Sequence, residues 1–145
     1  MRLTSLSALL LVLACGSESI PGPPKGLPYS AAFRTCGPAD GPAVGIIFAS
    51  GPIQGSSAPT PYVRMMIAQP LEQIVDHSWS VDDAMGASYV AAPNQLESAV
   101  SGAVTIKAIG PDSSVLGSVL LRFPTRGQIS GGFTAKWINI PALCG

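Results

Sequence analysis

Apolar and polar residues alternate with a period of two through most of the last third of the chain. The alternation runs through three segments, residues 100–109, Val115–Phe123 and residues 129–137. Such alternation is typical of β-strands that turn one face to a core and the other to solvent. Turn-forming residues rich in Gly and Pro separate the segments at 110–114 and 124–127. The pattern therefore predicts three consecutive antiparallel strands.

Shorter apolar segments predict four more strands upstream. They are residues 43–49, which are apolar on both faces and suit a central strand, and residues 62–69, 74–81 and 87–91. Residues 93–97 are predicted to form a helical turn, and no longer segment has a helical period. The predicted fold class is all-β, an antiparallel β-sandwich of about seven strands, with a small closed β-barrel as the alternative.

The first fifteen residues have the order of an export signal. Arg2 precedes a mostly apolar run over residues 3–13, well short of the ~20 residues that a membrane-spanning helix needs. The run ends in Val12-Leu13-Ala14-Cys15, which resembles the lipobox of a bacterial lipoprotein. The resemblance implies that residues 1–14 are removed as a signal peptide and that the sulfur of Cys15 carries a diacylglyceryl anchor in the membrane.

Two alternatives to lipidation stay open. An ordinary signal peptidase would cut the same bond without adding lipid, and a cytoplasmic chain would simply keep an apolar start. The C-terminal pattern, over residues 101–137, is also similar to that of small β-rich envelope lipoproteins. That second similarity implies a location but transfers no catalytic residue.

The chain has three cysteines, an odd number for an exported protein. With Cys15 lipidated, Cys36 and Cys144 remain near the two ends of the mature domain, and we expect them to form a disulfide in an oxidising compartment. Two free thiols are the alternative, but they suit export poorly. A metal site made with the lone His77 would lack a fourth ligand and a local ligand spacing, so no metal or cofactor is predicted.

Composition divides the mature chain into two parts. Residues 15–30 are predicted to be the lipid anchor and a Pro/Gly-rich tether, which would reach on the order of 40 Å at ~3.1 Å per residue in an extended state. Residues 31–145 are predicted to be a single β domain. Gly16 rather than Asp follows Cys15, so the inner-membrane retention signal known from enteric bacteria is missing. We therefore expect a cell-envelope location, with the outer membrane favoured in a Gram-negative organism.

Charged residues are few and balanced, with eight basic and eight acidic side chains. They are scattered along the chain and form no basic cluster of the kind that follows nucleic-acid phosphates. The sequence therefore predicts no nucleic-acid partner.

The residues that could support catalysis lack the partners that catalysis requires. His77 lies between Val75 and Trp79 on the apolar side of its predicted strand, which favours a packed histidine, and the chain has neither a second histidine nor a Gly-x-Ser-x-Gly motif. Asp82 and Asp83 follow that strand without EF-hand spacing, so a solvated turn is favoured over a calcium site with Asp76. Glu72, Asp76, Asp82 and Glu97 have no context that marks a glycosidase pair. No residue is predicted to be catalytic, and the protein is predicted not to be an enzyme.

Glycine, tryptophan and loop residues point to packing and binding. Gly131 and Gly132 lie within a strand pattern, which favours a bulge or a close strand crossing over a phosphate loop. Trp79 and Trp137 align with apolar neighbours and are predicted to pack in the core. The irregular stretch 51–61 is a candidate binding loop.

These observations favour a non-enzymatic envelope module that is anchored through Cys15. Such a module would bind an envelope protein or a glycan through loops or a sheet edge, or serve a structural role. An inhibitor of a cell-wall hydrolase or protease is the alternative function. A hydrolase that uses His77 or the acidic residues is a third and weaker one.

Overall fold

The computed structural model describes residues 21–82, 84–110 and 112–144. The export signal, Cys15 and Asp83 lie outside the described residues, so cleavage and lipidation stay predictions. The described residues contain nine strands and two short 3-10 turns, at Pro38–Asp40 and Leu71–Gln73. The strands are β1 (Tyr29–Cys36), β2 (Pro42–Ala49), β3 (Tyr62–Ile67), β4 (His77–Ser80), β5 (Met85–Ala92), β6 (Gln95–Ser98), β7 (Ser101–Ile109), β8 (Val115–Phe123) and β9 (Gly127–Ile138).

All nine strands belong to one sheet, in the order β4-β7-β8-β9-β1-β2-β3-β5-β6. Every neighbouring pair is antiparallel except β1 and β9, which run parallel where Ala31–Phe33 lie opposite Lys136–Ile138. The all-β class and the meander of β7, β8 and β9 are confirmed. The antiparallel sandwich of about seven strands is not, because the sheet is continuous, mixed and nine-stranded. Within the described residues β4 and β6 do not pair with each other, so the sheet is also not a closed barrel.

The sheet is strongly curled. Tyr89 on β5 and Phe123 on β8 are five strand spacings apart in the sheet, which would be about 24 Å in a flat sheet at ~4.8 Å per strand. Their ring centroids are 6.0 Å apart in an edge-to-face contact. In addition, only Ala99 and Val100 connect β6, at one edge, to β7, beside the other edge. The two arms of the sheet therefore face each other as a half-barrel.

The concave face of the sheet encloses the main core. Inward-facing residues of both arms meet there, and Phe48 and Phe133 make an edge-to-face ring contact at 5.1 Å. Each fully buried aliphatic or aromatic side chain of this kind stabilises a fold by ~1.5–3 kcal/mol. The largest fully buried members are Ile46, Phe48, Met65, Ile67, Ile74, Ile106 and Leu121.

A second, smaller core covers the convex face at the centre of the sheet. Phe33 and Ile47 are buried there although they point away from the main core. Ile53 and Ala58, in the irregular stretch between β2 and β3, pack against them, together with Ile138 and Ile140. The predicted binding loop therefore packs against the sheet.

A disulfide joins the start of the domain to its end. Cys36, the last residue of β1, is bonded to Cys144, with their Cα atoms 5.5 Å apart and a sequence separation of 108. This is consistent with the pairing predicted from the cysteine count. The bond holds the segment after β9 beside β1, where Ile138 and Ile140 cover the second core.

Part of the predicted tether packs on the domain. Leu27 is buried in the main core, and the backbone N–H of Gly132 donates to Gly22 O at 2.9 Å. A Cβ atom on Gly131 would lie 2.6 Å from the nitrogen of Pro24, so the glycine pair permits a close approach of two backbones, as predicted. The packed part of the chain thus includes residues 22–28, which the composition placed in the tether.

Two predicted elements differ from the structure. Residues 93–97 form a hairpin rather than a helical turn, because Asn94 adopts a positive φ of 65° and Leu96 pairs with Val90. The strand predicted over 74–81 begins only at His77, after a turn in which Asp76 has a φ of 57°. No helix long and apolar enough to cross a membrane occurs among the described residues.

Candidate functional site

His77 is exposed rather than packed in the core. It is the first residue of the edge strand β4, and its ring stacks on that of Trp79 with centroids 5.6 Å apart. Its Nδ1 lies 3.0 Å from Val75 O. Trp79, on the same face, is half-buried against the main core and donates from Nε1 to Ile74 O at 3.3 Å. The prediction of a packed histidine is wrong because the core ends at Trp79 and leaves the first residue of β4 outside. The packing of Trp79 and Trp137 against the core is confirmed.

The acidic side chains do not form a metal-binding group within the part of the chain that the structure describes. Among the described residues no three His, Cys, Asp or Glu side chains converge as metal ligands would. Asp76 and Asp82 are exposed, and Glu72 faces Arg34 at 4.0 Å between exposed side chains. These three carboxylates are therefore solvated, and Glu72 has an arginine beside it.

Glu97 connects two parts of the sheet through hydrogen bonds. Its carboxylate accepts hydrogen bonds from the backbone N–H of Thr125 and, at 2.7 Å, from the Thr125 hydroxyl. The backbone hydrogen bond is the main cause that lowers the pKa of Glu97 below its ordinary value. Because Thr125 lies in the turn between β8 and β9, this contact links β6 at one edge of the sheet to the opposite arm. Next to it, the guanidinium of Arg126 lies 4.4 Å from the centroid of Tyr89.

A candidate binding surface is a groove on the convex face of β3, β5 and β6, which we call the outer groove. Its volume is about 460 Å³. The strand register places outward side chains in rows across it, such as Tyr62, Val90 and Leu96 in one row. The outward-facing residues that line it are Tyr62, Arg64, Met66, Gly86, Ser88, Val90, Leu96 and Ser98.

The outer groove is mostly apolar and open. Leu96 is 64% exposed, and its neighbour Val90 and the side chain of Met66 are half-buried. A Cβ atom on Gly86 would meet no atom within 4 Å, so the floor of the groove is accessible there. Within the described residues β6 pairs only with β5, and an edge strand of this kind presents unpaired N–H and C=O groups. The groove therefore offers apolar contacts next to a free backbone edge.

Arg64 is the one charged residue among those lining the groove. Its guanidinium lies 5.9 Å from the centroid of Phe33, and within the described part of the chain no carboxylate forms an ion pair with it. The groove therefore combines apolar side chains with a positive charge, and none of the described residues that line it is acidic.

Comparison with known proteins gives no match for this chain. No protein-family model matches it, and neither the curated proteins nor the solved structures contain a significant match.

Sequence reasoning missed the outer groove because its members come from three separate segments. The alternation over residues 62–69 did place Arg64 on the face opposite Val63 and Met65. Leu96, however, lay in a predicted helical turn, and only the pairing of β5 with β6 brings it beside Val90.

Proposed function

We propose that the protein is a lipid-anchored module of the bacterial cell envelope that binds another envelope protein and carries out no catalysis. The anchor rests on the lipobox at Val12 to Cys15 and on the export signal before it. The binding role rests on one observation, the apolar outer groove beside the unpaired edge of β6.

The groove suits an extended segment of a partner protein. Such a segment can add to β6 as a further strand, because the edge supplies backbone hydrogen bonds while alternate side chains enter the groove. Apolar side chains of the segment would contact Val90 and Leu96. Arg64, on β3, is turned towards Phe33 on β1, so a carboxylate would meet it only from a part of the partner that extends across the groove. Arg64 has no acidic partner of its own in the described residues.

Site-specific crosslinking tests the binding role. A photo-reactive residue is placed at Leu96 in the outer groove and, in a separate variant, at Leu120 on β8, since both leucines are exposed. In intact cells we expect a discrete protein adduct from position 96 and none of the same mass from position 120. Equal adduct patterns from both positions, or no adduct from either, would contradict a binding groove.

Mass measurement tests the anchor independently of binding. The protein purified from a bacterial host should begin at Cys15 and carry an acyl-glyceryl group. A Cys15→Ser variant should lose that mass and leave the membrane fraction. An uncleaved or unlipidated wild-type chain would overturn the proposed location.

The other two functions gain less support. An inhibitor of a cell-wall hydrolase or protease needs a protruding loop, whereas Ile53 and Ala58 hold the stretch between β2 and β3 against the sheet. For a hydrolase, His77 has no acidic or nucleophilic partner among the contacts of the described residues.

A further inference from the structure

The outer face of β7, β8 and β9 differs in charge from the rest of the molecule. None of the residues in these three strands is Asp or Glu, whereas Lys107, Arg122 and Lys136 are basic and exposed. We call this surface the tether face. Its outward residues alternate with buried ones and are mostly small, hydroxylated or apolar: Ala103, Thr105, Leu116, Ser118, Leu120, Arg122 and Ser130.

Leu120 is the most prominent apolar side chain of the tether face. It is 43% exposed, and Arg122 projects from the same face of β8 two residues further on. A leucine beside an arginine is the combination that an anionic bilayer surface attracts, since the leucine can enter the acyl boundary while the cation stays among the phosphates. At the other end of the face, Lys136 lies close enough to Asp112, in the turn between β7 and β8, to help lower the pKa of that carboxyl. At the Arg122 end the carboxylate of Glu97 is held by hydrogen bonds from Thr125, and no described acidic side chain forms an ion pair with Arg122.

The first described residues, Pro21 and Gly22, lie on this same face. Pro21 and Gly22 line a groove of about 430 Å³ together with Leu120 and Ser130, and the Gly22 carbonyl is held by the N–H of Gly132. Only seven residue steps separate Gly22 from Cys15. At a maximum of ~3.6 Å per residue, those steps span no more than about 25 Å. A lipid on Cys15 would therefore keep this side of the domain close to the membrane.

We propose that the tether face lies against the bilayer that holds the anchor, with Leu120 in the headgroup region and Arg122 paired with lipid phosphates. The proposal rests on the lipid anchor of the proposed function, but not on the identity of any partner. In this proposal the short stretch between Cys15 and Gly22 also determines which side of the half-barrel faces the membrane.

Tryptophan quenching tests this orientation on the full lipidated protein. Leu120→Trp and the matched control Leu96→Trp are reconstituted through their anchors into phosphatidylcholine vesicles that contain phosphatidylglycerol and brominated lipid. Each signal is compared with that of the wild type, which supplies the background of Trp79 and Trp137. We expect strong added quenching for Leu120→Trp and none for Leu96→Trp. Equal added quenching in both variants, or none in either, would overturn the orientation.

Charge substitution provides the second readout. In the Leu120→Trp background, Arg122→Gln should lower the equilibrium constant for contact between the tether face and the anionic vesicle surface about 5-fold, as expected for the loss of one cation near such a surface. The added tryptophan quenching reports this change. Arg64→Gln, in the outer groove, should leave it unchanged. Identical responses to the two substitutions would contradict a role for Arg122.

The intact mass of the same preparations shows whether the lipid anchor is present, and so distinguishes failure of the anchor from failure of the orientation. A lipidated protein that lacks the differential quenching overturns the orientation and leaves the anchor intact. A protein without the acyl-glyceryl mass overturns the anchor and the orientation together.

Discussion

Gly131 is the residue at which the N-terminal segment depends most directly on the absence of a side chain. A Cβ atom there would lie within 2.8 Å of backbone atoms of Gly22, Pro23 and Pro24, and backbone cannot rotate away as a side chain can. The φ of Gly131 is not in the left-handed region, so space rather than backbone conformation makes the glycine necessary.

We therefore expect Gly131→Ala to displace the segment at residues 22–24 and to lower the free energy of unfolding by ~1–3 kcal/mol, the usual cost of a forced backbone shift. The N–H of Gly132 should lose its hydrogen-exchange protection, because it donates to Gly22 O. Gly86→Ala is the matched control, since a Cβ there meets nothing within 4 Å. Retained protection of Gly132 in Gly131→Ala would show that the segment tolerates the methyl group.

Glu97 makes the stability of the fold depend on pH. Its pKa is lowered chiefly by the hydrogen bond from the Thr125 backbone, so the folded state favours the ionised carboxylate. The resulting stabilisation is present above the ordinary pKa of a glutamate and is lost as pH falls through the lowered value. We expect Glu97→Gln to lower the melting temperature at pH 7 and to differ less from the wild type as the pH is reduced below about 4.

Thermal unfolding at several pH values measures this effect. Glu72→Gln is the control, because its carboxylate meets Arg34 only across exposed side chains at 4.0 Å. A difference between wild type and Glu97→Gln that stays constant down to acidic pH would show that the contact with Thr125 does not depend on the charge.

Among the elements, strands with one exposed face were predicted from their alternation, and β2, which is buried on both faces, was predicted from its continuous apolar run. In β8, Val115, Val119, Leu121 and Phe123 are buried on one face, as the alternation predicts. By contrast, β1 was missed because Ala31, Ala32 and Phe33 are buried in succession, with cores on both sides of the sheet. A strand covered on both faces has no period-two signal.

Long-range strand pairing explains the remaining differences between the predicted elements and the strands of the structure. Gln95, Leu96 and Glu97 have helical propensity, but pairing with β5 overrides it and creates an edge strand. The parallel contact of β1 with β9 joins the strands that come first and last in chain order, and no local pattern carries that information. The outer groove depends on the same long-range register, so its position could not be predicted either.

The positive charge of Arg64 leads to a prediction for partner binding at the outer groove. If the partner captured at Leu96 places a carboxylate at Arg64, Arg64→Gln removes a charge-assisted hydrogen bond worth ~1.5–3 kcal/mol. Binding should weaken about tenfold or more, and the remaining affinity should depend less on salt concentration. Titration of the purified partner against both proteins measures the change. Arg34→Gln, which alters an exposed arginine outside the groove, is the control, and equal weakening by both substitutions would contradict the assignment.

On the scale of the whole molecule, the curl of the sheet separates two surfaces. The inner faces of the two arms meet in the main core, as the contact between Tyr89 and Phe123 shows. Their outer faces, the outer groove on β3, β5 and β6 and the tether face on β7, β8 and β9, therefore point away from each other. With the tether face against the lipid, the outer groove would be presented to the side away from the membrane, where a partner can approach it.

The disulfide stabilises this arrangement from the end of β1, where it holds the segment that follows β9. It closes a loop with a sequence separation of 108 residues, for which the chain-entropy model gives up to ~4.7 kcal/mol, and measured values for native disulfides are typically ~2–5 kcal/mol. We expect reduction and alkylation of Cys36 and Cys144 to lower the free energy of unfolding in urea by that amount. The double variant Cys36→Ser with Cys144→Ser should behave in the same way.

The effect should also be local. The bond holds the segment that carries Ile140 over Phe33 and Ile47, whereas the main core is closed by contacts between the two arms. Hydrogen exchange of the reduced protein should therefore accelerate in β1 and β2 more than in β7 and β8, with the far-ultraviolet circular dichroism of the sheet retained. Uniform acceleration across all strands would mean that the disulfide supports the whole half-barrel, and unchanged stability would mean that the apolar contacts of the C-terminal segment are sufficient without it.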